Sequence, residues 1–214
     1  PDAARMLKIQ YRMHEDIMNF SSYYFYQNQL IAHPSIRKHQ LDGEAPITFI
    51  DTAGCGFFET QDPETLSRYN QEEAQVLIKA LESLTNEIGG EDWIKNNFTV
   101  GVITPYSAQV EVLNKLVDQS PLLAPIRSLI SINTVDAFQG QERDVIAISL
   151  VRSNEKGEIG FLNDIRRTNV AITRARKKLL LVADSSTLTT NPFYNELVEY
   201  VQRCNYYTSA FELS

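Results

Sequence analysis

Four consecutive apolar residues, Val145 Ile146 Ala147 Ile148, open a run that reaches Val151 with only Ser149 to interrupt it. This run limits the fold more than any other feature of the chain. Side chains alternate between the two faces of a strand, so a strand with one wet face reads as alternating apolar and polar residues. A run without alternation requires cover on both faces, which a parallel sheet between two helical layers supplies. Shorter strand-like runs at 47–51, 99–105, 129–133 and 178–183 join the one at 144–151. They alternate with helix-like stretches at 15–27, 71–87, 107–119, 164–174 and 193–203. The alternation predicts an α/β domain with a mostly parallel, doubly wound sheet flanked by helices on both faces. Within the second helix, Ala74, Leu77, Ile78, Leu81 and Leu84 recur at the spacing of one buried face.

With 214 residues and 43% hydrophobic content the chain can bury a full core, and no repeat or low-complexity tract divides it, so one domain over 1–214 is expected. Its apolar runs fall far short of the roughly 20 residues that span a bilayer. The first residues, Pro1 Asp2 Ala3 Ala4 Arg5, lack the pattern of a secretory signal. The expectation is a cytoplasmic or nuclear protein with no membrane partner. Cys55 and Cys204 form no CxxC pair, and His14, His33 and His39 show no zinc-cluster spacing, so reduced thiols and no structural metal are expected.

A formal charge of -7 argues against a surface that is basic all over. Contact with a polyanion must then be local. Arg166, Arg167, Arg174, Arg176, Lys177 and Lys178 fall in a stretch, 165–183, that holds no acidic residue. It reads either as a local cationic site or as a solvated helix face.

Self-sufficient nucleotide hydrolysis of the P-loop kind needs GxxxxGK[ST], and none of the nine glycines is followed by lysine. Gly54 Cys55 Gly56 lacks the third glycine of a dinucleotide fingerprint. Asp51 ends an apolar strand as a magnesium-holding aspartate would, but no P-loop is there to complete it. There is no GxSxG and no visible hydrolytic triad. What remains is a set of arginines and a glutamate suited to neutralising a polyphosphate held by something else, the logic of an arginine finger.

Four stretches carry a family resemblance. Leu7 Lys8 Ile9 Gln10 Tyr11 Arg12 Met13 His14 resembles the QYRMH segment of superfamily 1 helicases of the nonsense-mediated-decay type. Val102 Ile103 Thr104 Pro105 Tyr106 with Gln109 resembles that family's strand-end motif that touches nucleic acid. Thr134 Val135 Asp136 Ala137 Phe138 Gln139 Gly140 Gln141 Glu142 resembles motif V. Gly160 to Asp164, followed by Arg166 to Arg176, resembles motif VI. The four occur in the family's order between about residues 7 and 184, and 185–214 carries no recognised motif.

The resemblance implies the second, C-terminal RecA-like domain of a 5′-3′ DNA or RNA helicase: a P-loop NTPase fold without a P-loop. The ATP site would be shared with an N-terminal RecA-like domain, which would bring the Walker motifs and the magnesium ligands. By the same resemblance Tyr11 stacks on adenine, Arg12 and Arg174 reach the γ-phosphate, and Glu142 accepts from the ribose or couples the nucleotide to the strand. Gly140 lets backbone approach a phosphate, and Gln10 orients Tyr11 and Arg12. Thr104, Tyr106 and Thr134 are implied contacts to single-stranded nucleic-acid backbone, with Arg152 and Asn154 as additions. Each has a plainer alternative: a core or hinge tyrosine, structural ion pairs for the arginines, a loop carboxylate, ordinary surface roles for Arg152 and Asn154. Arg166 and Arg167 are expected to line the cleft or support motif VI. Two rival functions stand beside the motor: a noncatalytic nucleic-acid-binding or scaffolding module, and a small-molecule α/β enzyme with its own enclosed pocket.

Overall fold

A computed structural model describes residues 8–138 and 140–213. Leu7 and Gln139 of the quoted motifs, the amino-terminal stretch at 1–5 and Ser214 lie outside the described residues. In chain order the strands are β1 (Ile9–Gln10), β2 (Ile31–Ala32), β3 (Ile47–Asp51), β4 (Thr60–Gln61), β5 (Arg68–Tyr69), β6 (Val100–Thr104), β7 (Ile130–Thr134), β8 (Arg143–Ser149), β9 (Ala175–Ala183) and β10 (Tyr207–Ser209). The helices are α1 (Glu15–Tyr26), α2 (Gln71–Ile88), α3 (Gly90–Lys95), α4 (Ser107–Gln119), α5 (Ile165–Ile172), α6 (Ser185–Leu188) and α7 (Pro192–Arg203), with a 3₁₀ turn at Gly160–Asn163.

Six strands form one sheet in the order β10-β3-β9-β8-β6-β7, and every pairing in it is parallel. β8 and β9 occupy its middle, as the unbroken apolar run requires: Val145, Ile146 and Ala147 are fully buried. One face packs Ile103, Ile146, Ile148, Leu179 and Leu181 against α1, α5 and α7, chiefly through Ile17, Phe20, Ala171, Phe193 and Leu197. The other face packs Val100, Val102, Val145, Ala147, Leu180 and Val182 against α2, α3 and α4, through Leu77, Leu81, Trp93 and Leu113. The expected stripe on α2 is buried along its whole length.

Local chemistry sets the helix starts. Asn70 caps α2 by accepting from the Glu73 amide at 3.0 Å, and Asn191 caps α7 with Pro192 at the first helical position. His14 caps α1, its Nδ1 accepting from the Asp16 amide at 3.1 Å, with Glu15 and Asp16 complementing the helix dipole. Burial lowers the His14 pKa, while Asp16 and Glu15 oppose the shift. The uncharged ring this favours suits an acceptor at a cap.

The segment without a recognised motif is part of the sheet's architecture. α7 buries Phe193 and Tyr194, and β10 pairs with β3 as an edge strand. A three-residue strand is too short for any periodicity to announce it. Asp51 is neither exposed nor open to a cation. Its Oδ1 accepts from the Ala53 and Ser185 amides at 2.9 Å, and its Oδ2 accepts from the Tyr207 hydroxyl at 2.8 Å, which ties β3 to β10 and α6. No helix among the described residues is long and apolar enough to cross a membrane.

Candidate functional site

Parallel strands share one polarity, so the two ends of the sheet gather different residues. At the amino-terminal end, Arg143 of β8 pairs with Ala175 of β9, which sets Glu142 and Arg174, one residue earlier in each chain segment, side by side. The turn after β1 joins them: the His14 amide donates to the Arg176 carbonyl at 2.9 Å. Gln10 shapes that turn, its Oε1 accepting from the Arg12 and Met13 amides at 2.8 Å each while its Nε2 donates to the Met13 carbonyl. The pinned turn sends Arg12 toward Glu142 and leaves Tyr11 outside. Tyr11 is 65% exposed, with His33 stacked behind it at a ring-centroid distance of 4.4 Å.

Glu142 collects cations from both neighbours. Arg12 Nε donates to its Oε2, Arg176 Nε donates to its Oε1 at 2.9 Å, and Arg12 Nη1 reaches the Thr173 carbonyl at 3.3 Å. Burial acts to raise the Glu142 pKa, but the hydrogen bonds from Arg176 and Arg12 outweigh it and hold the carboxyl below the usual range. Arg174 stands apart, with a buried Nε that has no hydrogen-bond partner. Burial lowers its pKa, the Arg12 charge adds to that, and Glu142 only partly opposes it. A cation strained in this way gains from any anion that arrives.

Two crossovers bring these residues to that end. The segment after β7 is nailed to the sheet by Phe138, fully buried, whose ring occupies the space left by Gly101 in β6. A Cβ at Gly101 would lie 2.7 Å from Phe138 Cζ and 2.8 Å from Ile146 Cδ1. From that anchor the chain turns at Gly140, in the left-handed region at φ 80°, and runs to Glu142. α5 is the second crossover. Ser21 Oγ of α1 donates to Asn169 Oδ1 at 2.6 Å, and the Tyr194 hydroxyl of α7 lies 2.7 Å from Thr168 Oγ1 and donates to the Leu162 carbonyl at 2.9 Å.

The opposite, carboxyl-terminal end holds the residues implied to touch nucleic acid, and the structure divides them. Thr104 pairs with Thr134 in register at the ends of β6 and β7, but Thr104 is fully buried with an unpartnered Oγ1, whereas Thr134 is half-buried. Tyr106 is 5% exposed. Arg152 is interior: its Nε lies 2.9 Å from Glu59 Oε1, and its Nη1 donates to the Tyr106 hydroxyl at 3.4 Å. Asn154 Nδ2 donates to the Glu158 carbonyl at 2.8 Å and so folds the loop that follows β8. Gln109 is fully buried, donating to Ser149 Oγ at 2.9 Å and to the Asn70 carbonyl, so it braces β8 and touches no surface.

Beneath this end lies a polar brace. Glu73 is fully buried, its Oε1 accepting from Ser149 Oγ at 2.6 Å and from the Val151 amide at 2.8 Å, with Oε2 unpartnered. Burial pushes its pKa up to about 7 against the hydrogen bonds that stabilise the anion. Val151 sits at φ 71°, a conformation costly for a β-branched residue, and the Asn70 amide group holds its carbonyl at 3.2 Å. The chain therefore leaves β8 at a forced angle, immediately before Arg152.

The cationic stretch in the sequence is not one surface. Lys178 is buried among Glu44, the Ala45 carbonyl and Thr48, and Lys177 lies over the Phe98 ring near Asp144. Arg167 pairs with Asp136 at 3.1 Å and with Asp164 at 3.6 Å. Only Arg174 and Arg176 of the six join the amino-terminal cluster. Arg176 and Glu59 are among the residues to which sequence reasoning gave no role at the site. Arg176 stands in the motif VI stretch two residues after Arg174, a usable signal, whereas Glu59 carries none.

The chain matches the family described as AAA domain over residues 1–186. It is 36% identical over 222 residues to the DNA-binding protein SMUBP-2 of Mesocricetus auratus, covering 98% of this chain and 21% of that protein. It is 37% identical over 220 residues to the DNA polymerase alpha-associated DNA helicase A of Saccharomyces cerevisiae, covering 95% of this chain and 29% of the relative. An uncharacterized ATP-dependent helicase of Methanocaldococcus jannaschii is 36% identical, with 94% of this chain and 30% of the relative covered. The chain thus spans less than a third of the length of these relatives. Among solved structures, the C-terminal domain of a possible DNA helicase from a Lactobacillus strain, WCFS1, aligns with a TM-score of 0.53 at 14% identity, over 94% of this chain and 99% of that one, a likeness of fold.

Proposed function

The chain belongs to the AAA domain family and has relatives named as helicases, and from that premise we propose that it is the second RecA-like half of an ATP-driven motor that moves 5′ to 3′ along single-stranded DNA or RNA. The observation that carries this reading is the convergence of Arg12, Glu142 and Arg174 at one end of the sheet, with a buried Arg174 Nε that lacks a partner. An anion entering the cleft would both satisfy that group and offset the Arg12 charge beside it.

In this reading ATP would bind between this domain and an N-terminal RecA-like domain, which would hold the magnesium. Tyr11 offers its exposed ring to the base, a large contact at low entropic cost. Arg12 and Arg174 neutralise charge developing on the polyphosphate, as permanently charged planar groups do best. Glu142 and Arg176 hold Arg12 in orientation, and Gln10 fixes the turn that carries it. Thr134 and Asn154 meet the strand at the far end of the sheet, while Thr104, Tyr106 and Arg152 shape that surface from beneath. Such contacts fix position without reading sequence.

Two stretches of chain join the two ends. The segment from Thr134 to Glu142 runs from the strand end to the nucleotide end, anchored midway by Phe138, and α5 makes the same traverse from Asp164 to Arg174. Closure of the interdomain cleft on these elements would change both grips together.

The test is the ATPase rate of the full-length protein with and without single-stranded DNA or RNA, in wild type, Arg12→Ala and Arg174→Ala. Expected is strand-stimulated turnover that drops about 10³-fold or more in Arg174→Ala while strand affinity persists. Wild-type turnover in both variants removes the finger role. Strand binding without any turnover in the wild type establishes the noncatalytic binding module instead.

A further inference from the structure

At the carboxyl-terminal end of the sheet, Phe161 is 61% exposed, yet it is not a loose side chain. It lies in the 3₁₀ turn Gly160–Asn163, and its ring sits on Tyr106 at a centroid distance of 5.3 Å with 22° between the planes. Tyr106 is itself buried and held through its hydroxyl by Arg152. The next residue, Leu162, is buried, and its carbonyl is fixed by the Tyr194 hydroxyl. Arg152 packs directly against the turn, where a Cβ at Gly160 would lie 1.9 Å from Arg152 Nη1.

A lone exposed aromatic needs no explanation. This one forms part of the wall of a groove of about 590 Å³, also lined by Ser67, Arg68, Tyr106, Arg152 and Asn163, a volume in the range of small-molecule sites. On its other side it borders a depression formed with Pro105, Thr134, Asp136 and Arg167. Phe161 thus stands between the groove and the proposed strand-contact residue Thr134.

Charge decides what the groove can take. Arg68 and Arg152 both pair with Glu59, at 3.0 and 2.9 Å, and Glu158 also lines the space. The cationic charge is cancelled within the protein, so the groove is poor at holding a phosphate. What it presents is a preoriented ring and neutral polar groups. We propose that Phe161, backed by Tyr106, is a stacking subsite for one unpaired base of the nucleic-acid strand, with the backbone on the Thr134 side. The subsite rests on the motor reading above and adds to it a base contact that any sequence can make, because every base has a π-face.

The experiment compares the full-length protein with Phe161→Ala and Phe161→Trp, at one salt concentration, by fluorescence anisotropy on two probes. One is a single-stranded oligothymidylate; the other is the same sugar-phosphate chain made wholly abasic. The expected result is a weakening of about 5- to 100-fold for the alanine variant on the base-bearing strand, with near wild-type affinity for the tryptophan variant. The abasic strand should bind all three proteins alike. Equal affinity of wild type and Phe161→Ala for the base-bearing strand overturns the subsite while leaving strand binding intact. Equal weakening on both probes also overturns it, since a structural role lowers both. Failure of the wild type to bind either strand removes the nucleic-acid reading itself, and the subsite with it.

Discussion

Arg176 and Glu142 meet at the amino-terminal ends of β9 and β8, with Arg176 Nε 2.9 Å from Glu142 Oε1, while Arg12 takes the other carboxylate oxygen. Both oxygens of Glu142 are therefore engaged by side chains of the protein. The carboxylate acts in this arrangement as the bracket that aims Arg12, and Arg174 is left as the guanidinium with an unpartnered buried nitrogen.

Removal of the bracket should be felt in turnover before it is felt in stability. Arg176→Ala, in a partly exposed pair, should leave the melting temperature nearly unchanged. Misaiming Arg12 should lower strand-stimulated ATPase by about 10²-fold. Arg176→Lys should restore little, because a point charge does not reproduce the planar fork. Steady-state kinetics of the full-length protein check this, and full activity in Arg176→Ala would show that Arg12 needs no bracket.

Glu73 makes stability depend on pH in the direction opposite to most carboxylates. Its folded pKa, raised to about 7 from an ordinary 4.5, means that the native state holds a proton more tightly than the unfolded chain does. Its contribution to stability is then undiminished below pH about 4.5 and is lost as pH rises to about 7. Glu73→Gln keeps an acceptor for Ser149 and Val151 without the ionisation. Relative to wild type, the variant should gain roughly 3 kcal/mol between those limits and change no further above them. Urea unfolding of both proteins across that range reads the difference, and a pH-independent difference would place the Glu73 pKa near its ordinary value.

Gly101 tests the anchor of the motif V segment. Gly101→Ala places a methyl group within 2.8 Å of Phe138 and Ile146, both fully buried, and the overpacking should cost about 1–3 kcal/mol. Because Phe138 leads directly to Glu142, ATPase should fall as well. Thermal unfolding and turnover measured together distinguish this from simple destabilisation, for which activity at low temperature would be unaffected.

Much of this architecture is legible in local patterns. The central strands show as unbroken apolar runs and α2 shows its buried stripe, because each signal is complete within a few residues. Strand β3 and helix α4 keep their sequence-based bounds, and the ends of the other expected elements differ from theirs by at most three residues, as at β9, which begins at Ala175. The short strand β10 was invisible for the same reason that the long ones were plain: three residues carry no period.

The sequence by itself determined the α/β class, the layered sheet and, through its four motif stretches, the membership of this chain in a helicase family. Only the tertiary structure decided which of the motif residues face one another. Arg12 and Glu142 are 130 positions apart and Glu142 and Arg176 are 34 apart, and no local pattern encodes such a meeting. The same is true of Arg152, which reads as a surface cation until Glu59, 93 positions earlier, is found beside it. Periodicity records which face of an element is buried; the fate of a charge depends on what the rest of the chain brings to it.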